Sequence, residues 1–385
     1  MENLRIAKQN LRTSAPLKEY KLPCREKEFD HIYDFIITQF TAQTGGCLYL
    51  AGVPGTGKTA TVRGVRRSIE ENATKLKIKK KSLLFIEVNG LKLTDPYQVY
   101  SQVYYGITGE RKAAKKAGEK LHELFCEGGN DRFIVLIVDE LDSLQTTKQD
   151  ILYHLFDWPS RVDSKLVVIA IANTHDLPER MEKRVGSRAG FGRLPFHPYK
   201  HEQLQSIVAA RLKGISETFK SDGIQLIARK VASISGDARK VLDICRRSIE
   251  IAEEDFAGRT KSKGVKFQVS LEHVKKAVAE TTSSPKMIYI RDASEFEKNL
   301  LLAICKHFQI SGTEEGTCSD IFAYWSEICA ADGSHGVNFS EFLEIAHCLH
   351  ESRLINLEPD KVDNQRRIRL IVSTDDIDFA LRLNE

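Results

Sequence analysis

CLYLAGVPGTGKTATV, residues 47–62, decides the fold. It opens with an apolar run, CLYLAG (47–52), of the kind that fits a strand buried on both faces of a sheet. It closes on Val62, which with Val65 begins a stripe at helical spacing. Between them GVPGTGKT (52–59) satisfies G-x-x-x-x-G-K-[ST] in the strand, loop, helix setting that gives the pattern its meaning. Glycines at 52, 55 and 57 let backbone N–H groups turn inward around phosphates, and the helix N-terminus adds partial positive charge. Lys58 supplies a point charge for the β and γ oxygens, and Thr59 a hydroxyl for Mg²⁺. Gly52, Val53, Pro54, Gly55, Thr56, Gly57, Lys58, Thr59 and Ala60 are therefore the predicted nucleotide cradle. A glycine-rich turn with a chance lysine would need neither the strand before it nor the helix after it.

Three further apolar runs follow: LLFIEVNG (83–90), FIVLIVDE (133–140) and KLVVIAIANT (165–174). Alternating with helical stretches, they predict an α/β three-layer domain with a parallel sheet over residues 22–200. A phosphate cradle also needs a carboxylate to position the metal and a group to activate water. FIVLIVDE delivers both at the end of a buried strand, in the Walker B pattern. Asp139 is the predicted metal residue with Thr59, reaching Mg²⁺ through its hydration shell, and Glu140 the predicted base. Asp142 is accounted for by the dipole of a helix starting at Leu141. Asn173, at the end of the next apolar run, is placed to hydrogen-bond the water or the γ-phosphate. Farther on, GDARKVLDICRR (236–247) opens a helix with Arg239 in its first turn, where a cation opposes the dipole and calls for an anionic ligand.

From 201 to about 285 strand-like runs give way to helical periodicity, which predicts a small helical bundle. Residues 286–385 hold helix candidates at 294–309, 318–331 and 339–352, then LINLEP and RRIRLIV joined by a polar turn, which together describe a winged helix. Phe342, Ile345, Ala346 and Leu349 share one face of the third helix and read as core. Residues 1–21 read as a mobile basic arm, and Lys75, Lys77, Lys79, Lys80 and Lys81 as a solvated loop. Lys and Arg (57) nearly balance Asp and Glu (53) over 385 residues, so net charge alone does not establish nucleic-acid binding. Any affinity must come from local patches and be salt-sensitive. No window reaches about 18 uncharged apolar residues and the N-terminus has no apolar h-region, so the expectation is an intracellular chain without a membrane anchor. Eight cysteines without a CxxC pair read as reduced thiols.

These motifs, in this order, resemble the initiator clade of AAA+ ATPases, with Asn173 at the sensor 1 position, Arg239 at sensor 2 and a winged helix behind them. Finer stretches are similar to the largest-subunit family of the eukaryotic origin recognition complex: GVPGTGKTATV (52–62), EVNGLKLTDPYQVY (87–100), VDELDSL (138–144), FDWP (156–159), IANTHDLPER (171–180) and ARKVASISGDARKVLDICRR (228–247). The similarity covers nearly all of residues 20–385. Animal members carry an N-terminal bromo-adjacent homology domain and a long disordered segment that this sequence lacks, so the resemblance implies a core fragment or a shortened orthologue.

The resemblance implies a nuclear ATPase whose ATP, bound with Mg²⁺, lies between this chain and a neighbouring subunit. Glu140, Asp139, Lys58, Asn173 and Arg239 would be its catalytic set, with Pro23, Arg25 and Tyr199 near adenine. RVGSR (184–188) resembles the region supplying an arginine finger to the neighbour, Arg188 first and Arg184 second. Implied partners are the other complex subunits, the helicase-loading factor, the replicative helicase and double-stranded DNA. The segment 94–109 corresponds to the initiator-specific insertion, but its aromatic and apolar residues favour packing or backbone wedging over base reading. Glu341, Glu344 and Glu351 on the recognition helix repel phosphates, so DNA contact is expected from Arg12 and Lys18 of the arm and Lys361, Arg366 and Arg367 of the wing. The alternatives are the paralogous helicase-loading factor, a subunit in which ATP is structural glue, and a clamp-loader-type remodeller; the wing, FDWP and VNGLKLTDP weigh against the last.

Overall fold

The four apolar runs become β1 (Gly46–Ala51), β2 (Leu83–Asn89), β3 (Phe133–Asp139) and β4 (Leu166–Ala172), which with β5 (Gly192–Pro195) form a five-stranded parallel sheet in the order β2-β3-β4-β1-β5. This computed structural model describes residues 2–12, 20–73, 82–126, 132–144, 146, 149–161, 164–173, 192–213, 219, 221–258, 268–282, 285–311, 313, 315–331, 333, 338–358 and 363–382. Among the described residues the helices α1 (Glu2–Asn10), α2 (Glu26–Ala42), α3 (Lys58–Glu71), α4 (Gln98–Thr108), α5 (Ala114–Cys126) and α6 (Asp150–Asp157) accompany the sheet sequence.

Successive strand residues point to opposite faces, and both faces are covered. Ile134, Leu136 and Val138 of β3 pack with Val99, Tyr100, Leu121, Ile151 and Leu155 from α4, α5 and α6. Phe133, Val135 and Ile137 pack instead with Ile32, Ile36, Val62 and Val65 from α2 and α3. The result is the α/β three-layer arrangement the runs predicted, of the RecA-like kind that the AAA+ resemblance implies. Within residues 94–109, Val99, Tyr100, Val103 and Tyr104 are core, which agrees with the packing reading, while Tyr97 and Tyr105 stay partly exposed.

The chain divides into two compact units, one of residues 1–216 with 236–242, the other of 217–235 with 243–385. The first contains the sheet. It also corrects the reading of the N-terminal arm: residues 2–10 are helical, with Ala7 and Leu11 fully buried. The Asn10 carbonyl accepts from Arg211 Nη1 at 3.2 Å, fastening the segment to the helix His201–Arg211. Arg12, just beyond, is exposed.

The described residues of the second unit are mostly helical and include a three-stranded antiparallel sheet, β6 (Glu315–Thr317), β7 (Ile355–Leu357) and β8 (Arg367–Leu370), in the order β6-β8-β7. The helices Glu295–Ser311, Cys318–Ala331 and Phe339–Glu351 stand within two residues of their predicted bounds, and with the β7-β8 hairpin they make a winged helix. Its core gathers Trp325, Phe342, Ala346 and Leu349, each fully buried. Asn338 caps the third helix by accepting from the Glu341 N–H at 2.9 Å, while Glu341 accepts from the Asn338 N–H at 3.0 Å. One glutamate of the recognition position is therefore spent on the cap. Cys47, Cys245, Cys305, Cys318 and Cys329 are buried.

Candidate nucleotide-binding site

Sheet order places the chemistry. β1 lies between β4 and β5, and Ala51 is in register with Ala172, so Gly52 and Asn173 leave the sheet side by side. On the other side of β4, β3 ends at Asp139, opposite Asn89 of β2. The crevice outside the carboxyl ends of such strands is where open α/β sheets bind ligands.

The loop after β1 is tightly held. Gly55 and Gly57 have φ of 76° and 92°, a region that favours glycine, and Gly57 is the N-cap of α3. Neither tolerates a Cβ: one on Gly55 would meet Asp237 Oδ1 at 1.8 Å, and one on Gly57 the Tyr199 hydroxyl at 2.6 Å. The buried Thr56 hydroxyl donates to the Val53 carbonyl at 2.8 Å. Arg25 buttresses the loop from behind, since its Nε donates to the Thr56 carbonyl at 3.0 Å, its Nη1 to Glu28 at 2.6 Å and its Nη2 to the His197 carbonyl. Its guanidinium also lies 4.2 Å from the Tyr199 ring centroid. Arg25 and Tyr199 are both buried, and Pro23 is half-buried. The Arg25 fork is thus engaged with protein acceptors, and its observed part is to hold the loop.

At the start of α3, Lys58 is buried and donates to the Gly52 carbonyl, to the Val53 carbonyl at 3.2 Å and to Asn173 Oδ1 at 3.0 Å. Burial outweighs the pull of Glu140 and Asp142 and, with the Arg239 charge pushing the same way, lowers its pKa to about 8. The Thr59 hydroxyl lies 3.0 and 3.1 Å from the two Asp139 carboxylate oxygens and donates to them. A hydroxyl beside a buried carboxylate is a hard-oxygen donor set, and it fits a hydrated divalent cation of the Mg²⁺ kind. Glu140 has φ of 53° and receives the Asn173 Nδ2 donor on Oε2 at 2.6 Å. Burial, then the Asp139 charge, raise its pKa, while the Asn173 bond opposes them.

The structure therefore brings Lys58, Thr59, Asp139, Glu140 and Asn173 into one connected group. Arg239 is exposed in the first turn of the helix Ala238–Gly258, and its charge reaches Lys58. The same helix start touches the loop, with the Ala238 N–H donating to the Gly55 carbonyl at 3.3 Å. Asp237 caps it, accepting from the Arg239 N–H at 2.6 Å. Asp142 requires a correction. No α-helix begins at Leu141; a four-residue 3-10 turn, Leu141–Leu144, follows Glu140, and the Asp142 carboxylate accepts from the backbone N–H of Asn173 at 2.7 Å. Asn89, whose Nδ2 lies 3.5 Å from Asp139, and Asp237 also escaped the sequence reading. The second acid of VDELD was a signal for Asp142, and an aspartate at a helix start was one for Asp237; nothing local marked Asn89.

Arg184, Arg188, Lys18, Lys361 and the Lys75–Lys81 run lie outside the described residues. The described wing arginines have acidic partners: Arg366 pairs with Asp363 at 3.1 Å, and Arg367 and Arg369 converge on Glu315, Arg369 Nε at 2.8 Å. The wing thus carries less uncompensated charge than its sequence suggested.

Three family models match in sequence along the chain: the ATPase family associated with various cellular activities (AAA) over 48–193, the AAA lid domain over 194–269, and the CDC6 C-terminal winged helix domain over 289–380. Fold, site and models together define an AAA ATPase with a helical lid and a winged-helix domain, a class built to bind nucleotide. Human origin recognition complex subunit 1 is 46% identical over 363 residues, which are 94% of this chain and 41% of that protein. The solved structure of the Drosophila origin recognition complex bound to DNA contains a chain 42% identical, matched over 99% of this chain and 92% of that one with a TM-score of 0.66. The Aeropyrum pernix ORC1 protein, solved in complex with DNA, shares the fold at 24% identity, 98% and 96% coverage and a TM-score of 0.59. The chain belongs to the origin recognition complex subunit 1 family. It spans about 41% of the length of the first curated relatives.

Proposed function

We propose that this chain binds ATP and Mg²⁺ at the loop 52–59 and hydrolyses ATP within an origin recognition complex that engages origin DNA in the nucleus and supports loading of the replicative helicase. The observation that carries the reading is the single connected group of Lys58, Thr59, Asp139, Glu140 and Asn173 at the carboxyl edge of β1, β3 and β4. Backbone N–H groups of 52–59 and the start of α3 receive the phosphate tail, and Lys58 exchanges its carbonyl partners for phosphate oxygens. Thr59 and Asp139 would hold Mg²⁺, which when bound would supply charge to offset that of the phosphates. Glu140 accepts a proton from the attacking water, and Asn173 fixes the carboxylate that does so. Arg239, at the start of the lid helix, faces the phosphates with its cation.

Full turnover requires a further cation from a neighbouring subunit, and in return this chain offers Arg188, or Arg184, to the next site. Isolated, it binds ATP and turns it over slowly. The Drosophila relative solved on DNA supports DNA as a ligand and the other complex subunits as partners; the helicase-loading factor and the helicase follow from the same reading.

The test is Glu140→Gln in the assembled complex. ATP affinity is expected to hold while turnover falls about 10²-fold or more. Equal measurable turnover in the two proteins would remove Glu140 as the base, and no turnover by the assembled wild type would overturn hydrolysis and leave ATP as structural glue.

A further inference from the structure

The turn Leu141–Leu144 immediately follows the proposed base and is built against it. Ser143 donates its N–H at 3.1 Å and its hydroxyl at 2.7 Å to the Glu140 carbonyl, so the left-handed backbone at Glu140 is tied down from one side. Gly90 leaves room for this: a Cβ there would meet Ser143 Oγ at 2.1 Å and the Glu140 carbonyl at 2.5 Å. From the same turn Asp142 reaches across to the end of β4 and accepts the Asn173 N–H at 2.7 Å. Asn173 then spans a cation and an anion. Its Oδ1 accepts from Lys58 Nζ at 3.0 Å and its Nδ2 donates to Glu140 at 2.6 Å. Those two contacts fix the amide's sense, because the reversed amide would point NH₂ at an ammonium and oxygen at a carboxylate. What they leave open is where the amide stands, and that is set by the Asn173 backbone.

We propose that Asp142 is a positioning residue for the hydrolytic centre, anchoring the Asn173 backbone so that its side chain spans Lys58 and Glu140. The inference rests on the nucleotide-hydrolysis reading above and assigns a role within the same site. A dipole explanation for Asp142 has little to act on, since a four-residue 3-10 turn is too short to develop one. The carboxylate is directed at a specific donor instead. Misplacement of about 1 Å in such a group can cost about 10²-fold in rate, so a backbone anchor is worth having even though it touches no substrate.

The test compares Asp142→Ala and Asp142→Asn with the wild-type full chain, in the assembled complex for turnover and alone for fluorescent-ATP binding and amide hydrogen exchange. Asp142→Ala removes the acceptor and is expected to leave nucleotide affinity in place, to cut kcat by up to about 10²-fold and to speed exchange at Asn173. Asp142→Asn keeps an acceptor oxygen at that place and is expected to recover the greater part of kcat and the slow exchange. Wild-type kcat and exchange in Asp142→Ala would overturn the proposal, as would equal losses in the two variants, which would assign the effect to charge. Should the wild type show no turnover, the hydrolysis reading fails separately, while exchange at Asn173 still tests the anchor.

Discussion

Lys58 is held in a state that nucleotide must rearrange. Buried on carbonyl oxygens and the Asn173 amide, it has a pKa lowered to about 8, so it is charged at neutral pH and loses its proton as pH rises through that value. Phosphate needs the charged form. Affinity for ATP is therefore expected to fall as pH is raised from 7 to about 9, as titrations at stepped pH would read. The folding contribution has the opposite sign. Between about 8 and the ordinary lysine value the unfolded chain binds more protons at this residue than the folded one, so the stability of the nucleotide-free protein should rise with pH there. Affinity independent of pH over that window would count against Lys58 as the phosphate cation. Arg25 shows the limit of reading residues one at a time: its place beside the loop and its neighbour Glu28 were legible, but the Thr56 and His197 carbonyls that it holds are brought to it only by the fold.

At the scale of elements, what could be read in advance followed the physics of burial. β1, β3 and β4 have both faces covered, so their sequences are unbroken apolar runs. β5 is GRLP, with mostly exposed side chains, and is a strand because its backbone pairs with β1, which no side-chain pattern encodes. The three-residue β6 is too short to have a period, and the apolar periodicity around α1 is weak, with Ala7 and, just past its end, Leu11 buried. Long amphipathic helices of the winged helix were legible for the converse reason. That domain has its own core, centred on Phe342 and Trp325. Phe342→Ala is expected to destabilise it by about 3–5 kcal/mol while ATP binding by the first unit persists. Denaturant melting alongside nucleotide titration checks this, and joint loss of both would contradict the division into units.

For the whole molecule, a balance of +4 over 385 residues leaves DNA affinity to local patches, and the wing patch is partly neutralised from within. Glu315 holds both Arg367 and Arg369. If the wing meets phosphates, Glu315→Gln should free a positive charge, tighten DNA binding and steepen the salt dependence by about one phosphate contact. Charge reversal at Arg366 and Arg367 should do the reverse. Salt-dependent binding unchanged in both variants would remove the wing from the DNA interface. The candidate site was legible in its chemistry because Walker A, Walker B and Asn173 are local strings. Its bonding between elements was not, because Asp142 to Asn173 and Ala238 to Gly55 join segments 31 and 183 residues apart.

The central claim is that the bend at 52–59 takes the phosphate tail of ATP. It is tested most directly by calorimetric titration of MgATP into the folded chain and into Lys58→Ala. The account predicts one site per chain, lost or severely weakened in the variant whose melting temperature shows it still folded. No uptake by the folded wild type, or equal uptake by the variant, would contradict it.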